Sequence, residues 1–360
     1  MKHRELKTAI AAVSVVALLA GCAAGAPDNG SNGDGELASS ITVMTWGGSW
    51  TEAEAAGYHV PFTDQTGIEV NTATPMDVSK FRIAVESGNY EVDVALLPPY
   101  HFFLAKELGL LEPIDLSLVD TSTLSPDLEV DEFGVPGSMV AQQIAYRNDA
   151  FPNGGPQNWA EFWDVEKFPG KRSLEDSPVA NLEYALLADG MAVSDLYPLT
   201  PEKIDRAFAS LDKIKPHILA WGNNPALSQQ MITDGEVDAM MLFSGRASSL
   251  DPSANVSVSW EQANQNVGLW AIVKGTPRVK EAHMLINVAM DPENQAMFSR
   301  TTGFGYGTVS PQGSDFFTPE ELEKMPSHPE NYAKGFKVDN EWWGKNLADI
   351  LPRWEEWKIS

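Results

Sequence analysis

Short runs that alternate apolar and polar residues are interleaved along this chain with longer runs whose apolar positions recur every three to four residues. Ile41-Thr42-Val43-Met44-Thr45-Trp46 alternates and is rich in strand formers. Ser49-Trp50-Thr51-Glu52 then reads as a capping box that opens a helix. Residues 67–74 read as a second strand, 77–85 as a helix, 92–97 as a buried strand and 101–108 as another helix. This β-α-β-α-β order predicts a largely parallel sheet with helices on both faces. A second series starts near Gln142, with a strand over 143–147 and a capping box at Asn158-Trp159-Ala160-Glu161. Thr200-Pro201 and Asn224-Pro225 each open a helix, and 237–243 and 267–273 read as buried strands. Helices follow over 278–290, from Asp291-Pro292 to before Gly303, briefly from Thr318-Pro319, and over 340–357. Two such α/β sets, each with its own sheet, predict an α/β protein of two lobes.

The N-terminus has a different pattern. Lys2, Arg4 and Lys7 precede an apolar run over 9–20 that is too short to span a bilayer. This is the layout of a secretory signal, assigned here to 1–21. The run closes on Leu19-Ala20-Gly21-Cys22, and the cysteine resembles the lipidated cysteine of bacterial lipoproteins; an ordinary signal peptide with a chance cysteine is the other reading. Cys22 is the only cysteine, so the chain has no internal disulfide and no second thiol for metal or redox chemistry. Residues 22–40 are mostly Gly, Ala, Asn, Asp, Ser and Pro and read as a flexible tether holding the protein to the membrane through lipid.

About 320 residues remain, too many for a single core. With 25 basic and 50 acidic residues the chain carries a formal charge of −25. That field repels nucleic-acid phosphates and favours a monomer, but it does not reveal a ligand.

Signatures of catalysis are missing. The six histidines have no metal-ligand spacing, and there is no Gly-x-Ser-x-Gly elbow, P-loop or dinucleotide fingerprint. Ser210-Leu211-Asp212-Lys213 matches Ser-x-x-Lys but falls mid-helix without companion motifs. No cofactor or metal is expected, and the chain is read as a non-enzyme, with a lipid-anchored hydrolase as the rival. Aromatic placement is more informative. Trp46 closes a strand, Trp50 opens the next helix, Tyr100 follows a third element's end, and Phe243 ends another strand with Arg246 just beyond. Ligands of open α/β sheets bind beyond the carboxyl ends of strands, where such rings can stack on a solute. Gly47-Gly48-Ser49 lies between strand and helix, where free backbone N–H groups could meet a polar ligand, or the three residues form a plain turn.

Taken in order, several segments resemble the spermidine/putrescine-binding branch of bacterial ABC-importer solute-binding proteins. They include Val43-Met44-Thr45-Trp46, Phe62-Thr63-Asp64-Gln65-Thr66-Gly67-Ile68, Asp93-Val94-Ala95 and Gly109-Leu110-Leu111-Glu112-Pro113. Ile144-Ala145-Tyr146-Arg147-Asn148, Phe168-Pro169-Gly170-Lys171-Arg172 and Asp234-Gly235-Glu236-Val237 continue the series. The resemblance implies a periplasmic-binding-protein-like (type II) fold: lobe 1 over 41–142 plus 266–308, lobe 2 over 143–265 plus 309–360, and a hinge between them. It implies a small-molecule solute, a partner ABC permease, and a location at the cell surface or in the periplasm. It makes Trp46 and Tyr100 aromatic walls and puts Phe243 where the family usually has tryptophan. The family's acids fare worse: one is missing near Gly268, and another pair is reduced to Asp176, with Glu183 as a substitute. Arg246 then suits a carboxylate or phosphonate better than a polycation, unless it forms a surface salt bridge.

Overall fold

The computed structural model describes residues 37–222 and 224–360. The leader, Cys22 and the tether up to Glu36 lie outside the described residues. Leu37 already packs on the folded body, and the Ala38 N–H donates to Glu281 Oε1 at 2.6 Å.

Among the described residues there are nine strands: β1 (Ser40–Met44), β2 (Glu69–Ala73), β3 (Val94–Leu97), β4 (Leu111–Glu112), β5 (Val135–Arg147), β6 (Arg172–Glu175), β7 (Ile218–Gly222), β8 (Ala239–Phe243) and β9 (Val256–Val273). They form one hydrogen-bonded path, β2-β1-β3-β9-β5-β8-β6-β7, with β4 also on β9. The β1 pairs with β2 and β3 are parallel, as are the β6 pairs with β7 and β8. The long strands β5 and β9 run antiparallel to each other and to their neighbours β8 and β3.

The two sheets expected from the sequence are therefore joined through a central antiparallel pair. Sequence patterning found only the apolar ends of these strands, 143–147 and 267–273. Their other halves contain Pro136, Gly137 and Ser138, or Ser257, Glu261 and Gln262, and show no clean alternation. The pairing shifts register twice, slightly between Pro136 and Ser138 and more widely between Gln142 and Ile144: the partner of Gln142 is Asn264, whereas that of Ile144 is Ser259. Residues 260–263 leave the ladder there, and Gln262 N–H and Phe336 N–H instead exchange bonds with Lys334 O and Ala263 O.

Apolar cores form on either side of the central pair. One set joins Ile41, Val43, Phe62, Val94, Trp270, Leu285 and Phe298, with a second face around Phe81, Phe102 and Leu269. The other joins Trp159, Phe162, Tyr184, Leu211, Met241, Trp343 and Trp354. Side chains of fully buried aromatics on this scale supply much of the driving force for each core. The C-terminal helix Asn340–Ile359 connects them by lying on the helix Pro99–Glu107. A Cβ at Gly344 would come within 2.7 Å of Phe103 Cβ, so only glycine permits that approach.

Several helix starts follow their sequence signals. Asn158 caps Trp159–Trp163 by accepting from Glu161 N–H at 2.9 Å, and Thr318 and Glu321 form the reciprocal box. Ser49 does not cap. It is the first residue of Ser49–Glu54, Gly48 occupies the cap position, and the Ser49 hydroxyl accepts from Arg246.

Candidate functional site

The carboxyl ends of β1, β3, β6 and β8 face a common gap over the middle of β5 and β9. Its cavity measures about 400 Å³. Trp46 and Trp50 follow β1, Tyr100 and His101 follow β3, Glu175 and Asp176 end β6, and Phe243 and Arg246 end β8. Asn340, Leu347 and Leu351 of the C-terminal helix close another side.

Six of the seven solute-contact residues expected from the sequence thus line one cavity. The seventh, Gly47, is not part of the lining, and its N–H is not free: it donates to Thr51 Oγ1 at 3.0 Å. The Gly47 carbonyl instead faces Arg246 Nη2 at 3.5 Å. Trp50 contributes only an edge. It is buried, with edge-on contacts to Phe298 at 5.2 Å and Tyr306 at 4.8 Å, and belongs chiefly to the core. Glu183 is a correction. Its carboxylate lies in the core behind β6, bonded by Tyr197 OH and by Trp343 Nε1 at 2.7 Å, so it cannot stand in for a cleft acid.

Arg246 is 4% exposed and has no acidic partner within ion-pairing distance among the described residues, which removes the surface salt-bridge reading. Its position follows from the start of Ser244–Ser248. Ala141 N–H donates to Ser244 Oγ at 3.0 Å, and that hydroxyl donates to Gly305 O at 2.6 Å. Gly245 lets the Tyr306 ring lie against the helix, since a Cβ there would meet the ring at 2.0 Å. The guanidinium then reaches Ser49 Oγ at 3.0 Å, while its Nε is buried without a partner. Arg172 provides a contrast within the same molecule. It is equally buried, but its three nitrogens donate to the carbonyls of Phe162 at 2.8 Å, Gly170 at 2.7 Å and Phe168. Burying a guanidinium with no carboxylate beside it is costly, so the unpartnered Nε of Arg246 favours an anionic group in the cavity.

Opposite in charge is Glu175, which the sequence reading missed because the four residues Arg172-Ser173-Leu174-Glu175 gave no strand signal. Enclosure by protein pushes its carboxyl up to about 7, against the Gln142 amide, which favours the ion, and with help from the Asp176 charge. Gln142 Nε2 donates to Glu175 Oε2 at 2.7 Å, and Gln142 Oε1 accepts from Tyr184 OH at 3.0 Å and Asn264 Nδ2 at 2.7 Å. The Asp176 carboxylate is already engaged: Oδ1 accepts from Trp354 Nε1 at 3.1 Å and from Lys358 Nζ.

The rings form the rest of the wall. His101 stands between Trp46, at 5.7 Å between centroids, and Tyr100, at 4.0 Å. Burial lowers the imidazole to about 4, against the pull of Asp77, so at neutral pH it is an uncharged ring. The Ser-x-x-Lys match has a structural explanation. Ser210 is buried and its carbonyl accepts from Trp163 Nε1, Asp212 accepts from Trp357 Nε1 at 2.7 Å, and Lys213 pairs with Asp189 at 2.9 Å.

Comparison with known proteins matches residues 57–329 to the family described as bacterial extracellular solute-binding protein. A gamma-aminobutyric acid-binding protein of Pseudomonas aeruginosa is 31% identical over 323 residues, spanning 88% of this chain and 90% of the relative. The binding protein AgtB of Agrobacterium tumefaciens R10, solved with agropinic acid, superposes with a TM-score of 0.82 at 29% identity, covering 90% of this chain and 100% of that one. A spermidine/putrescine-binding protein of Streptococcus pneumoniae gives a TM-score of 0.68 at 20% identity, covering 89% and 100%, which speaks for the fold alone.

Proposed function

We propose, given that this chain belongs to the bacterial extracellular solute-binding protein family, that its solute is a small molecule bearing both a carboxylate and an amine. As a member of that family it is an extracytoplasmic binding component of an ABC importer and not an enzyme. The observation that carries the ligand reading is the buried Arg246 guanidinium, which lines the cavity without an acidic partner among the described residues. A carboxylate accepts two parallel bonds from such a fork. Glu175, on a neighbouring strand end, takes the amine as an ion pair.

This reading replaces the polyamine expectation. A diamine or polyamine presents only cations, so it leaves Arg246 unmatched and meets one available acid, because Asp176 is held by Lys358. The names of two relatives, a gamma-aminobutyric acid binder and a protein solved with agropinic acid, support an acid-bearing amine. The lobes are assigned as 41–142 plus 266–308 and 143–265 plus 309–360, hinged where β5 and β9 break register, with closure on the solute carrying it to the permease.

A thermal-shift series tests the reading. Gamma-aminobutyrate or a related amino acid should raise the melting temperature by mass action, and putrescine should not. Stabilisation by putrescine alone would sink it. The same preparation tests the lipid anchor: Cys22→Ser should leave the membrane fraction, and a variant that stays there removes that assignment.

A further inference from the structure

Resting on the acid-and-amine reading, we infer that the solute also carries a bulky apolar body of aromatic size between or beside its two charged ends. Two observations lead there. The first is space. The cavity measures about 400 Å³, within the range of sites that enclose drug-sized ligands, and a compact unbranched amino acid leaves much of it unfilled. The second is the state of the wall. The cavity is bounded by Trp46, Tyr100, His101, Phe243, Leu347 and Leu351, which offer ring faces and methyl groups.

Three of the polar side chains in the lining are committed already, whereas Ser138 Oγ and His101 Nδ1 are buried without a partner among the described residues. The Gln142 carbonyl accepts twice and its amide donates to Glu175, while the Asn264 amide donates to Gln142 and its carbonyl accepts from Val338 N–H at 3.3 Å. Asp176 is engaged by Trp354 and Lys358. A polyhydroxylated body would desolvate most of its hydroxyls against rings, with Ser138 Oγ and His101 Nδ1 too few to replace the lost bonds, which selects against it. An apolar body of ring size fits a cavity lined by Trp46 and Phe243 without asking for hydrogen bonds, and stacking adds to its burial. The charged ends remain with Arg246 and Glu175.

Titration calorimetry on the folded protein with four probes tests this: gamma-aminobutyrate, its beta-phenyl derivative, a glucose–amino acid conjugate and putrescine. The phenyl compound should bind at least about tenfold more tightly than its parent. Trp46→Leu, with Phe243→Leu as a second variant should the first fold poorly, should narrow that ratio. Equal or tighter binding of the parent, or tightest binding of the sugar conjugate, overturns the apolar-body inference and leaves the acid-and-amine reading standing. Tightest binding of putrescine, or no binding of any amino acid, overturns both.

Discussion

Arg246 Nη1 donates to Ser49 Oγ at 3.0 Å, joining the helix that follows β8 to the helix that follows β1 across the cavity. The bond explains why Ser49 fails as a helix cap, and it holds the guanidinium with its Nε still unpartnered among the described residues. Replacing Arg246 by alanine should cost an acid-bearing solute about 2–5 kcal/mol of binding, the usual range for removing one member of a buried charge pair. Lysine should recover only part of this, because an ammonium cannot make the two-pronged bond. Calorimetric affinities that are unchanged in Arg246→Ala would assign the side chain a structural role.

Glu175 gives binding a pH dependence with a definite sign. Its carboxyl sits at about 7 because it is enclosed. An ammonium binds the ionised form, so below pH 7 the solute must first displace a proton. Affinity should therefore fall as pH drops from 8 to 6, approaching tenfold per unit on the acid side. Glu175→Gln should bind weakly at every pH and show no such slope. Proton release, measured as binding heat in buffers of different ionisation enthalpy, is the independent check; its absence would rule out a Glu175–ammonium pair.

Glu54 bears on stability. It is fully buried under Trp50, bonded by Thr45 Oγ1, and burial pushes its carboxyl up to about 8. An unfolded glutamate titrates near 4.5. Between those values the native chain holds a proton that the unfolded chain has lost, so stability falls as pH rises from about 4.5 to 8 and levels off above. Glu175 and Glu183, at about 7 and about 6, act in the same direction. Glu54→Gln keeps the shape without the ionisable group. It should be more stable than the parent by a few kcal/mol at pH 8, with the difference shrinking toward pH 4. Denaturant melts at both pH values measure this, and a gap that does not change with pH would contradict it.

Much of the site was legible in the sequence because rings at strand ends mark a position that topology makes functional. Trp46, Tyr100, Phe243 and Arg246 were found this way. Glu175 was not, since β6 is four residues long and opens on Arg172, whose buried charge breaks the apolar pattern. Leu347 and Leu351 were hidden for a different reason. A helix repeat reports which faces are apolar but not which distant surface they meet, and here the meeting depends on Gly344 fitting against Phe103. The same limit applied to the fold. Local alternation revealed strands buried on an apolar core but not the polar halves of β5 and β9, whose pairing joins the two sets into one sheet.

On the acid-and-amine reading, the Asp176–Lys358 pair is what turns a dication away from the cavity. Lys358 Nζ is within bonding range of Asp176 Oδ1 and 3.0 Å from Glu355 Oε2, and its side chain is only 13% exposed. The lysine thus neutralises the one acid that could join Glu175 in holding a dication. Lys358→Met keeps the apolar stem and removes the charge, leaving Asp176 with the Trp354 N–H as its remaining partner. Two unneutralised carboxylates at adjacent positions should then attract a diamine. Putrescine should bind the variant several-fold more tightly than the parent protein at pH 8, with the gain shrinking as salt is raised, as for any partly exposed ion pair. Gamma-aminobutyrate, which still needs Arg246, should change less. Unchanged putrescine affinity in a folded Lys358→Met protein would show that the lysine is not what excludes dications.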